Sequence, residues 1–284
     1  MPSLHRTAGR LSATYQSRFL WLIRAEYIFL ISAGVLALDF SREPNYFIGY
    51  ALLLVLGLAA LLVRSLSRPE QGWYKARAVA ESIKTSAWRY AMRAHPYDGS
   101  DDEARKSFLK YVREIVAVNE VVAGAGIDQA VTFDQVTAQM ISIRHTALSE
   151  RLSTYLTHRV EEQRHWYVKK ARVNRRAFKV WLTISCLGYA ASIGLALSRI
   201  AHPEWEHVPI EPLLLFSSSV IGWVQTKRHS ELASSYTLTA REIGIALEEA
   251  DISSESVLST FVNVTELAFS REHTQWVARQ ETAG

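Results

Sequence analysis

The chain has 284 residues, enough for one large domain or two smaller ones, and a formal net charge of +4. Its mean hydropathy is near zero, as in a soluble protein, but the apolar residues are concentrated in four blocks with the charged residues between them. The charge is mild and unevenly placed, so we do not predict a nucleic-acid partner. The single cysteine, Cys186, excludes an intramolecular disulfide and a zinc site of paired cysteines.

The first two apolar blocks predict a membrane hairpin. They cover about residues 19–40 and 46–63, and only the first contains charged residues, with Arg24 and Glu26 near its start. Apolar runs of about 18 or more residues are typical of helices that cross a bilayer, whereas soluble helices space their apolar residues by three and four. Buried helical hairpins of a soluble protein are the alternative.

Two amphipathic helices are predicted after this hairpin, at about residues 69–95 and 101–123. Apolar or small residues recur at intervals of three and four in the first of them, which favours packing against another helix. Ser100 and Asp101 are candidate caps for the start of the second.

A glycine-containing break at 124–128 divides the chain into two predicted domains, 1–127 and 128–284. Neither glycine nor proline occurs between this break and Leu187. The pattern predicts one unbroken helix over about 129–199, which would include a third span at 180–198.

The fourth span, about 208–224, is the least apolar, and two further helices are predicted after it at about 227–251 and 253–279. Small and hydroxyl residues commonly pack helices together in lipid, but they could instead face water in a pore. We favour packing and keep pore lining as the alternative for Ser217, Ser218, Ser219 and Gly222.

Lysine and arginine residues indicate the orientation of the spans. They precede the first and third spans and follow the second and fourth, whereas the connections 41–45 and 200–207 hold only Arg42, with Arg199 just beside them. The positive-inside rule therefore predicts cytoplasmic termini in a bacterial inner membrane, with basic residues near lipid head groups. The expected fold is an all-α integral membrane protein with four transmembrane helices in two hairpins and a cytoplasmic helical bundle.

The two halves of the chain form an architectural repeat. Adding 160 to a residue number places the first hairpin on the second, Trp21 on Trp181 and Gly34 on Gly194. Both copies run in the same direction, unlike the inverted repeats of many transporters.

Two groups of residues resemble a known family. The first group is Trp73–Lys84 with Ala87–Tyr90 and Pro96–Tyr97, and the second contains Tyr155, Arg159–Gln163, Trp166–Tyr167, Lys170–Ala171, Phe261–Asn263 and Phe269–Trp276. Together they resemble the SLATT family, the SMODS and SLOG-associating two-transmembrane effectors, in a tandem form. The resemblance implies a pore-forming effector of bacterial conflict systems that signal through nucleotides. We expect the trigger to come from a cytoplasmic sensor protein or a nucleotide signal.

Polar residues of the predicted cytoplasmic helices form a candidate interface with a ligand or partner. A solvated helix with salt bridges is the simpler interpretation. Consecutive residues on a helix point in different directions, and no nucleophile, phosphate-loop or metal-binding motif is recognisable, so we predict no enzyme, cofactor or metal. The candidate interface residues are Trp73, Arg77, Glu81, Trp88, Arg271, Glu272, His273 and Trp276.

The leading hypothesis is an effector that oligomerises and conducts ions, because four spans in one chain enclose little aqueous space. A candidate outer acidic ring of Glu204, Glu206 and Glu211 predicts a preference for cations. A non-conducting membrane scaffold or sensor that docks a cytoplasmic partner is the alternative, and a membrane enzyme with an unrecognised site is a third possibility.

Overall fold

The structure is a computed structural model that describes residues 1–119, 121, 124, 135–248 and 252–281, with side chains up to Phe269. Its described part contains helices and no strand, so the prediction of an all-helical chain is confirmed there. The helices are α1 (Ser3–Leu36), α2 (Pro44–Ser67), α3 (Pro69–Ala91), α4 (Asp101–Val118), α5 (Ala138–Arg144), α6 (Leu148–Tyr155), a π-helical segment (Leu156–Glu161), α7 (Glu162–Ala201), α8 (Ile210–Lys227), α9 (His229–Glu248) and α10 (Glu255–Glu281).

Three stretches among the described residues are long and apolar enough to cross a membrane. They are α1, the stretch Pro44–Ala91 that contains α2, and the stretch Leu148–Ala201 that contains α7. Helix α8 has 18 residues and is not among them, since it combines Glu211 and Lys227 with a run of serines. These helices support a membrane protein, while the fourth span stays a prediction.

Both halves of the chain turn at the same place in the repeat. Helices α2 and α8 end one residue before Arg68 and Arg228, which adopt left-handed φ values of 39° and 49°. A non-glycine residue in this region is uncommon and ends the helical hydrogen-bond pattern. At Arg68, the following Pro69 further disfavours a helical conformation. The two arginines lie 160 residues apart, so the sequence offset also aligns these backbone turns.

The chain forms two compact units that interleave in sequence. Unit 1 contains Met1–Gln16, Glu70–Lys170 and Ser235–Gly284, and unit 2 contains Ser17–Pro69 and Ala171–Ser234. Each unit therefore takes segments from both sequence repeats. The proposed boundary at 127/128 lies outside the described residues and stays a prediction.

The core of unit 1 joins α3 and α4 to the segment that follows the undescribed stretch. Ile83 and Phe108 are fully buried there, and Met140 packs against the same cluster. The rings of Tyr90 and Tyr97 lie 5.5 Å and 5.8 Å from that of Phe108. This cluster holds α3 in place beside the site described below.

The prediction of one unbroken helix over 129–199 is wrong for the described residues. Helix α5 ends at Arg144 and α6 starts at Leu148. The Arg151 guanidinium donates from Nη1 to the carbonyl oxygens of Arg144 at 3.3 Å and Thr146 at 3.1 Å. Where a helix breaks, carbonyl oxygens lose the backbone N–H donors that a continuous helix would provide. The side chain of Arg151 donates to these oxygens instead. The absence of glycine and proline therefore did not guarantee a helix.

Two buried arginines of this broken segment hold the first residues of two other helices. Arg144 Nε donates to Asp101 Oδ1 at 2.7 Å, and Asp101 is the first residue of α4. Arg151 Nη2 pairs with Glu255, the first residue of α10. A carboxylate is favoured in the first turn of a helix by the helix dipole. The segment thus anchors the last helix of each repeat by the same means.

Candidate functional site

A buried ion pair lies in the middle of unit 1. Arg159 donates from Nε to Glu266 Oε1 at 2.8 Å and from Nη2 to Oε2 at 2.7 Å. The side chains are only 1% and 0% exposed. Two parallel bonds between a guanidinium and a carboxylate form the strongest and most directional kind of protein ion pair. The pair joins the π-helical segment to α10.

Aromatic rings surround this pair. The fully buried Tyr155 donates its hydroxyl to Glu266 at 3.1 Å, and its ring contacts those of Trp88 and Phe261. The Arg159 guanidinium lies 4.5 Å from the ring centroid of Phe269. Burial, reinforced by Glu266, raises the pKa of Tyr155 well above its usual value. The tyrosine therefore stays neutral and acts as a hydrogen-bond donor.

The geometry of the backbone at this pair is unusual. The π-helical segment begins directly after Tyr155 and contains Arg159. Such wide turns within α-helices are frequently found at functional sites. Here the wide turn carries a buried charge at the junction between α6 and α7.

A cavity of about 450 Å³ in unit 1 has walls from three helices, α1, α3 and α7. His5 Nδ1 donates to the Ala80 carbonyl at 2.9 Å, and Ser12 Oγ donates to the Trp73 carbonyl at 3.4 Å. Both bonds fix α1 against α3. A cavity of this size lies in the range that holds a small organic molecule.

Lys84 connects the cavity with the ion pair electrostatically. It lines the cavity, and burial together with the Arg159 charge lowers its pKa, although Glu81 and Glu266 act in the opposite direction. Lys84 makes no hydrogen bond or ion pair of its own with another described residue. A partly buried cation without a direct partner is favourable to an incoming anion.

Residues of the predicted cytoplasmic interface fall in three places. Trp73, Arg77 and Glu81 line the cavity together. Trp88 lies away from it, with its ring centroid 5.8 Å from that of Tyr155. The remaining four belong to α10, where their side chains are outside the described part of the chain: Arg271, Glu272, His273 and Trp276.

The polar stretch of α8 presents different surfaces within unit 2. Ser217 is fully buried, donates to the Leu213 carbonyl at 2.8 Å and accepts a bond from Ser185 at its own carbonyl at 3.0 Å. Ser219 is also buried, whereas Ser218 is exposed and lies 3.0 Å from the Tyr189 hydroxyl.

Two glycines bring the helices of unit 2 close together. A Cβ atom at Gly188 would meet the Ser217 hydroxyl, and one at Gly222 would meet the Tyr27 hydroxyl. Close approach through small residues is the usual packing mode of membrane helices. The chain therefore uses Gly188, Ser217 and Gly222 for contacts within itself and leaves Ser218 on its surface.

Charged residues of unit 2 occupy two environments. Arg64 Nη2 lies 3.1 Å from Glu26 Oε2, which joins α1 to α2. The residues of the proposed outer acidic ring, Glu204, Glu206 and Glu211, are exposed. Glu204 Oε1 lies 3.3 Å from His202 Nδ1, and all three carboxylates are accessible to solvent.

Glu266 was not predicted from the sequence, and no role was predicted for Arg159. Lys84 was predicted only as a member of the salt-bridged face that also carries Arg77 and Glu81. A signal for Glu266 was present, because it follows Leu258 and Val262 at intervals of four on the buried face of α10. A carboxylate at an apolar position of a helix is costly unless it is paired. Its partner could not be identified from spacing, since Arg159 is 107 residues away.

Comparison with known protein families matches both halves of the chain. A family described as SMODS and SLOG-associating 2TM effector domain 3 matches residues 2–152. A second, described as SMODS and SLOG-associating 2TM effector domain 1, matches residues 155–276. No curated protein and no solved structure matches the chain.

Proposed function

The chain belongs to the SLATT family as a tandem of two such domains, and we propose that it is a membrane effector that oligomerises and conducts ions across the bacterial inner membrane. Two effector domains that match from residue 2 to residue 276 carry this proposal. Each domain is described as having two transmembrane segments, which favours α8 as a fourth span beside α1, α2 and α7. A cytoplasmic signal, a sensor protein or a nucleotide, would open the path, and no catalysis is required.

The proposed topology places both termini and unit 1 in the cytoplasm. Lysine and arginine residues outside the two short connections support it. Single cysteines at Asn45 and Glu204, in a Cys186→Ala background, should react with an impermeant thiol reagent in spheroplasts. A cysteine at the exposed Lys106 should react only after lysis. Labelling at Lys106 in sealed spheroplasts would overturn the topology.

Ser218 is the residue of α8 that we assign to the conducting path. Its hydroxyl is exposed on the single chain, whereas Ser217 and Ser219 are buried in contacts within unit 2. Several copies around an axis would place the Ser218 positions together. Mass measurement in mild detergent should show a homo-oligomer, and a monomer alone would remove the pore in this form.

A cysteine-block experiment tests the conducting path. Ser218→Cys, in the Cys186→Ala background, should lose current in planar bilayers when a positively charged thiol reagent is added. Ser219→Cys is the matched control, one residue away on the buried side. Current that persists in the labelled Ser218→Cys protein contradicts this assignment, and the absence of any current favours a non-conducting scaffold.

Cation preference is the expected selectivity. Glu204, Glu206 and Glu211 are exposed, and in a symmetric ring each carboxylate is repeated. Rings of carboxylates concentrate cations at a pore mouth, and salt weakens the effect. Reversal potentials under a salt gradient should indicate cation selectivity, and replacing all three residues with glutamine should reduce it. Anion selectivity in the parent protein would contradict the proposal.

A further inference from the structure

The cavity in unit 1 has an unusual combination of side chains. Trp73, Trp166 and Tyr167 supply aromatic surface, while Arg77 and Lys84 supply positive charge. Aromatic rings stack on planar ring systems, and arginine and lysine bind phosphate or carboxylate groups.

The charge of the cavity favours an anion. Glu81 is the carboxylate of its lining, against the two cations Arg77 and Lys84. Within the described part of the chain, neither cation has a hydrogen bond or a direct ion pair. Glu81, Glu266 and Glu162 act on Lys84 from a distance, but partial burial still favours a ligand whose anionic group contacts both cations directly.

The corresponding position in the second repeat has no lysine, although an arginine from another helix lies beside it. Position 244, which is 160 residues after Lys84, is a glycine. A Cβ atom there would lie 3.7 Å from Nη2 of Arg164. The repeat architecture does not therefore by itself require a lysine at this point, which favours a specific role for Lys84 in the first repeat.

We propose that the cavity binds a small molecule in which a planar aromatic ring carries an anionic group, of the size of a mononucleotide. The ring stacks on the tryptophans and the anion meets Arg77 and Lys84. Helices α1 and α7 each continue from the cavity wall into an apolar segment. If the proposed function holds, a bound ligand therefore contacts two helices that enter the membrane, and its binding would affect conduction.

Binding to the purified full-length protein in detergent tests the site without any current measurement. Titration calorimetry would use AMP, adenosine and ribose 5-phosphate as probes, because the last two lack the charge and the ring respectively. AMP should bind at least tenfold more tightly than either. If AMP and ribose 5-phosphate bound equally well, the ring would not contact the aromatic side chains. If AMP and adenosine bound equally well, the anionic group would not contact Arg77 and Lys84.

Variants locate the site. Lys84→Gln should weaken AMP binding at least tenfold. Lys75 is an exposed lysine on the same helix, and Lys75→Gln should leave AMP binding unchanged.

Gly9 lines the cavity, and a Cβ atom there meets nothing within 4 Å. Gly9→Leu should therefore fill the cavity and abolish binding with an unchanged circular dichroism spectrum. AMP binding that survives Gly9→Leu, or no binding to the parent protein, overturns the proposal. Loss of current with intact binding would refute the proposed function alone.

Discussion

The two sequence repeats share their turns and differ in their interiors. Arg68 and Arg228 end the second helix of each repeat in the same left-handed conformation. The last helix of each begins with an acid, Asp101 or Glu255, held by a buried arginine. The turns therefore match at the offset of 160, whereas these two helix starts do not match at that offset and share only the kind of contact.

The interiors serve different purposes. The first repeat supplies Lys84 to an open cavity, whereas the second has glycine at the matching position and places its own buried charges in the Arg159–Glu266 pair. Its helix α8 carries serines where the corresponding helix of the first repeat, α2, is apolar. A duplicated scaffold can diverge in this way because its turns fix the conformation of only a few residues. Interior side chains can change together as long as their total volume is kept.

Removing one partner of the buried ion pair should have the largest effect on stability. Glu266→Ala leaves Arg159 buried without a counter-charge and should lower the free energy of unfolding by about 3–5 kcal/mol. Position 106, which is 160 residues earlier, is an exposed lysine. Lys106→Ala should therefore change stability little, as measured by thermal unfolding in the same detergent.

A double replacement separates lost charge from lost packing. Arg159→Met with Glu266→Leu removes both charges and keeps apolar volume, so it should be clearly more stable than Glu266→Ala. A double variant as unstable as the single variant would show that the pair does not act through its buried charges.

Sequence was informative about periodic features of the fold and less so about its contacts. Apolar runs predicted the three long apolar stretches that the structure contains, and the offset of 160 found in the sequence also relates the turns at Arg68 and Arg228. The break at residues 145–147 was missed because it depends on Arg151, whose side chain pairs the freed carbonyls. That contact is a tertiary property of one side chain and has no periodic signature.

The sequence indicated one wall of the cavity but not the others. The spacing of Trp73, Arg77 and Glu81 on one helix indicated a shared surface, and these residues do line one cavity. The other walls come from α1 and α7, which lie far from α3 in the sequence. Only the fold brings His5 and Trp166 to the same cavity.

Matching glycines in the two repeats should respond differently to substitution. A Cβ atom at Gly34 would collide with the side chain of Leu215, whereas one at Gly194 meets nothing within 4 Å. Gly34→Ala should therefore cost about 1 kcal/mol, since the end of the leucine side chain can partly move away. Gly194→Ala should stabilise its helix by up to about 1 kcal/mol. Thermal unfolding of both variants in one detergent measures the contrast, and equal shifts would contradict it.

The smallest expected effect concerns the start of α4 and its dependence on pH. Arg144, then His145, lowers the pKa of Asp101 from 3.8 to about 2 by hydrogen bonding to its carboxylate. Because the folded-state pKa lies below the unfolded one, this interaction contributes fully above the unfolded value of 3.8 and is lost as the pH falls towards the folded value of about 2. Asp101 is about half exposed, so solvent screening keeps the contribution small.

Thermal unfolding at pH values on both sides of this window tests the assignment. The parent protein should lose stability on acidification, and Asp101→Asn should lose less, because its side chain does not titrate. Asp102→Asn is the matched control, since the neighbouring residue lies in the same first turn but has no ion pair among the described residues. Its pH profile should follow that of the parent protein. If Asp101→Asn also followed the parent profile, the acid sensitivity would arise elsewhere, and Arg144 would act through its bonds to the carbonyls of Tyr90, Tyr97 and Gly99, which all precede α4.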